Sequence, residues 1–220
     1  MSLLTVPRGT SFQVYITYVK YSRLCLSAFC HRIHGMGFDI WVDADSVQKN
    51  LRQIILRASA RLGCACFFVA DRELSDVKQF IADDTFRLRQ KAREEGLSDE
   101  AAVKAVKSRV SMVVVPSGAD SADDRIVEQA HAPALCITHD IPLAARLLEK
   151  GCAVIDDRGM EYRNENIKAL LGDREVNREL RSWGVFALQQ GRMDSRNTKA
   201  FADCLDRTLA RMGGNDGKTT

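Results

Sequence analysis

The sequence predicts an α/β protein: a central, mainly parallel sheet with helices on both faces and a helical insertion. Three observations carry this. From Phe38 onward, short apolar runs rich in β-branched and aromatic residues alternate with stretches whose apolar residues recur at helical spacing. Most helical stretches are bounded by cap or turn residues. One long charged stretch, residues 71–110, breaks the alternation without a strand of its own until its end. Strands that alternate with helices need crossover connections, and these produce parallel sheets covered on both sides.

Taken in order, "FDIWVD" (38–43) reads as the first strand. "SVQKNLRQIILRASARLG" places Val47, Leu51, Ile54, Ile55, Ala58 and Leu62 on one helical stripe and stops at Gly63. "CACFFVA" (64–70) is the second strand. Residues 73–108 then predict two helices broken near Gly96, read as a surface insertion whose charges form a solvated face. "MVVVP" (112–116) is the third strand, stopped by Pro116 and Gly118. "SADDRIVEQA" opens a helix capped by Asp120 or Ser121. "ALCITHD" (134–140) is the fourth strand. "IPLAARLLEKG" is a helix with Pro142 in its first turn and Gly151 at its end. "CAVID" (152–156) is the fifth strand. "RGMEYRNENIKALLG" and "REVNRELRSWG" follow, then the helix "NTKAFADCLDRTLARM" and a polar tail expected to be disordered. One domain over 37–212 is expected, flanked by an extension over 1–36 and a tail over 213–220.

Composition narrows the function classes. Hydrophobic residues make up 45% and charged residues 28% of 220, an ordinary globular balance. No apolar run reaches the roughly 20 residues of a membrane span, and a cytoplasmic location is expected. Seven cysteines, an odd number without paired C-x-x-C spacing, read as small core residues in a reducing compartment. The net charge of +3 is uneven. Residues 1–35 hold Arg8, Lys20, Arg23 and Arg32 and no acid, so the remainder is nearly neutral and slightly acidic. Composition therefore gives no independent support for non-specific nucleic-acid binding. The first segment loosely resembles a transit peptide. The reading adopted is an extension outside the fold, disordered or preceding a true start at Met36, with no role for His31 or His34.

The chemistry lies in aspartates. In an open parallel sheet, sites form beyond the carboxyl ends of the strands. Asp43 and Asp45 follow the first strand, Asp120, Asp123 and Asp124 follow the third, and Asp140 ends the fourth. Crowded carboxylates repel one another, and a hard divalent ion relieves that repulsion through oxygen ligands. Mg²⁺ or Mn²⁺ is the expected cofactor. Thr138, two residues before Asp140 and on the same side of a strand, is placed to orient a carboxylate. Each acid also has a local role open to it. Asp43 or Asp45 could cap a helix beginning near Ser46, Asp123 and Asp124 could complement a helix dipole, and Asp140 could cap the helix that Pro142 begins. Taken singly, the two roles stand level; convergence on one edge favours the site. His131 and His139 are read as structural. No nucleophile pattern and no phosphate-binding loop motif is present.

"IWVDAD", "MVVVPSGADSADDRIVEQA", "CITHDIPLAARLLEKG", "DRGMEYRNENI", "LRSWG" and "AFADCLDRTL" together resemble the YaiI/YqxD family of bacterial proteins, from about residue 37 to 209 with the central insertion left out. That family is similar to the PIN-like nucleases, and "ADDRI" and "THD" resemble the acidic motifs of NYN-type relatives. The resemblance implies a three-layer PIN-like fold and a divalent-metal site at Asp43, Asp123, Asp124 and Asp140, with Asp45 accessory. Asp43, Asp124 and Asp140 would carry catalysis. It further implies phosphodiester hydrolysis, with RNA as the expected partner. The alternative is a non-catalytic module that binds nucleic acid or protein. The chain departs from the family in its basic first segment, in residues 71–110, and in "QQGRMDSRN" before the last helix.

Overall fold

A computed structural model describes residues 37–118, 121–182 and 195–214. The extension over 1–36, Asp120, most of "QQGRMDSRN" and the tail beyond Gly214 lie outside the described residues.

The element order is β1 (Asp39–Asp43), α1 (Lys49–Leu62), β2 (Cys66–Ala70), α2 (Ser75–Glu94), α3 (Asp99–Ala105), β3 (Val110–Val114), α4 (Ser121–Gln129), β4 (Ala134–Ile137), α5 (Ile141–Glu149), β5 (Ala153–Ile155), β6 (Glu161–Tyr162), α6 (Asn164–Ser182) and α7 (Ser195–Gly213). The sheet runs β3-β2-β1-β4-β5-β6. Its first five strands are parallel and β6 is antiparallel to β5. The expected alternation is therefore present, with β6 as an addition.

Period-two alternation along β1 builds three layers. Ile40 and Val42 join a core with Leu51 and Ile55 of α1 and with Phe201, Leu205 and Leu209 of α7. Trp41 points the other way, into a core with Ile126 of α4, Leu143 and Leu147 of α5 and Ile167 of α6. Phe68, Phe201, Leu51 and Leu135 are fully buried, each contributing about 1.5–3 kcal/mol of transfer free energy. Cys64, Cys66, Cys136, Cys152 and Cys204 are free and buried, as the composition suggests.

Several boundaries shift. β3 begins at Val110, because the register against β2 pairs Cys66 with Val110. α1 begins at Lys49 behind an uncapped Gln48, so neither Asp43 nor Asp45 caps it. Residues 164–182, given no element from the sequence, form one continuous helix.

The stretch between β2 and β3 does break at Gly96, which has φ 95°, and Ser98 caps α3 by accepting from the Ala101 N–H. It is more than a surface insertion, however. Parallel β2 and β3 need a crossover, and α2 and α3 supply it. Val77, Ala92 and Ala102 are fully buried. Arg52 of α1 forms a two-pronged ion pair with Asp76 of α2, at 3.0 and 3.1 Å. Buried Asp84 accepts from the Ser108 hydroxyl at 2.7 Å, which fixes the approach to β3. The charge density of this stretch hid its few buried positions.

The β5–β6 turn packs closely on α7. Gly159 has φ 87°, and a Cβ there would lie 2.4 Å from the Ala200 carbonyl carbon. Only glycine fits both the backbone angle and the gap.

Candidate metal centre at the carboxyl edge of the sheet

The chain leaves β1 toward β2 and β3, then returns across the sheet to β4 and β5. The strand order thus reverses between β1 and β4, and in open parallel sheets sites form beyond the carboxyl ends at such a reversal. Asp43 ends β1, and Thr138, His139 and Asp140 follow β4.

Asp43 lies two residues beyond Trp41, so it leaves the strand on the face covered by α4, α5 and α6. It is 7% exposed. Thr138 Oγ1 donates to Asp43 Oδ2 at 2.8 Å and accepts from the Asp140 N–H at 3.0 Å. Thr138 thus links the first acid to the backbone of the third. Burial pushes the Asp43 carboxyl above its usual range. Contacts with Thr138 and Ser46 oppose that shift, and the Asp45 charge adds to it. No cation is among the main influences on this carboxylate. Its charged form is therefore costly, because the unfolded chain loses the proton first.

The other acids are placed differently. Asp140 caps α5, accepting from the Leu143 N–H at 3.0 Å, and its second oxygen faces Arg174 of α6 at 3.3 Å. Its capping role is real, and a capping carboxylate keeps its other oxygen for a second partner. Asp124, in the first turn of α4, pairs with Arg146 of α5 at 2.7 Å. Asp123 precedes it and is half-buried. Asp45 accepts from the Asp71 N–H at 2.9 Å and faces Arg72 at 3.5 Å, which ties the end of β1 to the loop after β2. The structure thus joins Asp43, Thr138 and Asp140 by hydrogen bonds, sets Asp124 on a neighbouring helix against an arginine, and turns Asp45 toward the β2 side.

A divalent ion fits the donor set. All candidate donors are oxygens, as Mg²⁺ and Mn²⁺ prefer. Asp43 is a buried carboxylate that lacks positive compensation. Arg146 and Arg174 already balance Asp124 and Asp140, so those two acids are available to an ion only if the arginines yield.

Sequence reasoning missed a second group. His139, Asp156 and Asp157 present ligand atoms that all lie within 4.8 Å of one another. Asp156 and Asp157 follow β5, which pairs with β4 through Ile137 and Ile155. The doubled aspartate after "CAVI" was the available signal. It lies at the same carboxyl edge as Asp140. Contact with Asp157 holds the His139 imidazole toward its charged form, and burial opposes this. Tyr162 is 2% exposed. Its hydroxyl is raised by burial first, then by Asp156, Asp157 and Asp140, so all three acids act on one phenol.

Fold and edge define a class: a three-layer α/β protein with aspartates gathered at the switch point of a mainly parallel sheet. Residues 96–211 match the family described as "Uncharacterized BCR, YaiI/YqxD family". The chain is 36% identical over 173 residues to a UPF0178 protein of Trichlorobacter lovleyi, covering 79% of this chain and 94% of the relative. It is 34% identical over 173 residues to a UPF0178 protein of Pseudomonas putida, covering 79% and 97%. A UPF0178 protein of Xanthomonas oryzae is 35% identical over 171 residues, covering 78% and 89%. The chain belongs to the YaiI/YqxD family. A solved glucose-6-phosphate 1-dehydrogenase from Mycobacterium avium superposes with a TM-score of only 0.31 and 14% identity, over 68% of this chain and 34% of that one.

Proposed function

We propose that this protein is a PIN-like, Mg²⁺- or Mn²⁺-dependent nuclease that hydrolyses phosphodiester bonds in RNA. The observation that carries the reading is Asp43, a buried carboxylate at the switch point whose charge has no cationic partner among the described residues. At such an edge a divalent ion polarises phosphate oxygens and acidifies water. In this reading Asp43 is the anchoring ligand. Thr138 fixes its orientation by donating to Oδ2. Asp140 and Asp124 complete the donor set from α5 and α4, with Asp123 and Asp45 at its margins. Arg174 and Arg146, now paired with Asp140 and Asp124, are the cations a phosphate backbone meets at the rim. RNA as the substrate follows from the resemblance to PIN-like nucleases.

One observation favours a second reading. Both outer acids are neutralised by arginines, as suits a module that binds nucleic acid or a partner protein without turnover.

A cleavage screen separates the two. The full chain is incubated with single- and double-stranded RNA and DNA, with Mg²⁺ or Mn²⁺ and with chelator. The expected result is metal-dependent cleavage of RNA that falls at least about 100-fold in Asp43→Asn, the scale on which one lost electrostatic stabiliser acts. Metal binding without cleavage of any substrate supports the binding module.

A further inference from the structure

We propose that His139, Asp156 and Asp157 form a second cation site, separate from the Asp43 site, that takes a first-row transition-metal ion. Three donors from two loops meet there, and their ligand atoms all lie within 4.8 Å of one another.

Burial and bonding set this group apart from a chance surface cluster. Asp156 is 4% and Asp157 8% exposed. Asp157 Oδ1 and His139 Nδ1 are both buried atoms without a hydrogen-bond partner, yet they lie 3.0 Å apart. At that distance the two atoms form an ion pair when the imidazole is protonated. Two buried polar atoms at that range normally turn to bond each other, since leaving both unmade is costly. Convergence on a shared ion gives the same spacing. Donors about 2.1 Å from one ion and at right angles to each other lie about 3.0 Å apart.

The backbone holds the donors in place. Asp156 Oδ1 accepts from the N–H groups of Arg158 and Met160, which locks its carboxylate as outer partners lock metal ligands. The Thr138 N–H donates to the Ile155 carbonyl at 3.1 Å, and this joins the two loops just before the donors. The His139 side chain keeps 40% of its surface exposed, which leaves an entry path.

Donor chemistry selects the ion. Imidazole suits ions such as Zn²⁺, Fe²⁺ and Ni²⁺ and disfavours Mg²⁺, whereas the all-oxygen set around Asp43 suits Mg²⁺ and Mn²⁺. The imidazole nitrogen therefore distinguishes an ion held here from one held by the Asp43 set. A plain His139–Asp157 ion pair is the competing account, and it binds no metal.

The test titrates Mn²⁺ into the chelator-treated full chain and reads the electron spin-echo modulation that a coordinated imidazole nitrogen imposes. The modulation is expected in wild type and in Asp43→Asn, and is expected to vanish in His139→Gln. Mn²⁺ affinity at this site should fall about tenfold or more in His139→Gln and in Asp157→Asn, with circular dichroism confirming that both variants fold. Absence of bound Mn²⁺, bound Mn²⁺ without nitrogen modulation in wild type, or modulation that survives in His139→Gln overturns the proposal. Loss of the modulation in Asp43→Asn overturns the separation of the two sites.

Discussion

Arg52 and Asp76 show how much one ion pair depends on its surroundings. Their side chains are 12% and 5% exposed, and they join α1 to α2. Arg61 and Asp206 pair at 2.7 Å, but are 62% and 61% exposed. Removing one partner of a buried pair strands the other charge, whereas an exposed partner simply rehydrates. Asp76→Ala should cost about 2 kcal/mol, between the fully buried and surface cases, and Asp206→Ala less than about 0.5 kcal/mol. Urea melts of the two variants check this. Equal losses would mean that α2 is not held to α1 by this contact. At the same scale, much of the candidate site was readable. Thr138 was placed by its spacing from Asp140, and Asp43 by its position at the end of an apolar strand. Partner choice was not readable: sequence says where a carboxylate emerges, but not that Arg146 and Arg174 arrive from other helices to meet Asp124 and Asp140.

At the scale of elements, apolar periodicity located α1, β2, β4 and α5 well, because each buries a regular stripe against the sheet. It also found α2 and α3, broken near Gly96, but not their part in the core. There the buried positions are sparse (Val77, Ala92 and Ala102) and sit within a charged surface, so a structural crossover read as an appendage. The β5–β6 hairpin was missed because two residues carry no periodicity. That hairpin meets α7 through Glu161, whose carboxyl Arg211 holds below its usual range, against burial and with help from Arg163. A depressed carboxyl contributes stability that is present above its unfolded value and lost as pH falls through the folded one. Arg211→Gln should therefore be less stable than wild type at neutral pH, by about 0.5–1 kcal/mol. The gap should close as pH drops below 4.5, the ordinary glutamate value. Melts of both proteins between pH 7 and 3 test it, and a gap unchanged at pH 3 would contradict the pairing.

For the whole molecule, the account rests on one relation between topology and charge. The strand order reverses between β1 and β4, and at that reversal the fold buries Asp43 with no cation among the main influences on its carboxylate. A folded state that pays to bury a charge gains when an ion is supplied. The most direct measurement is the thermal melt of wild type, Asp43→Asn and His139→Gln, with Mg²⁺ and with chelator. Mg²⁺ bound only to the native state should add roughly 2.7 kcal/mol at a hundred-fold excess over its dissociation constant. The account predicts that rise in wild type and in His139→Gln, and its loss in Asp43→Asn. Identical wild-type melts at millimolar Mg²⁺ and in chelator, or an equal rise in Asp43→Asn, would contradict it.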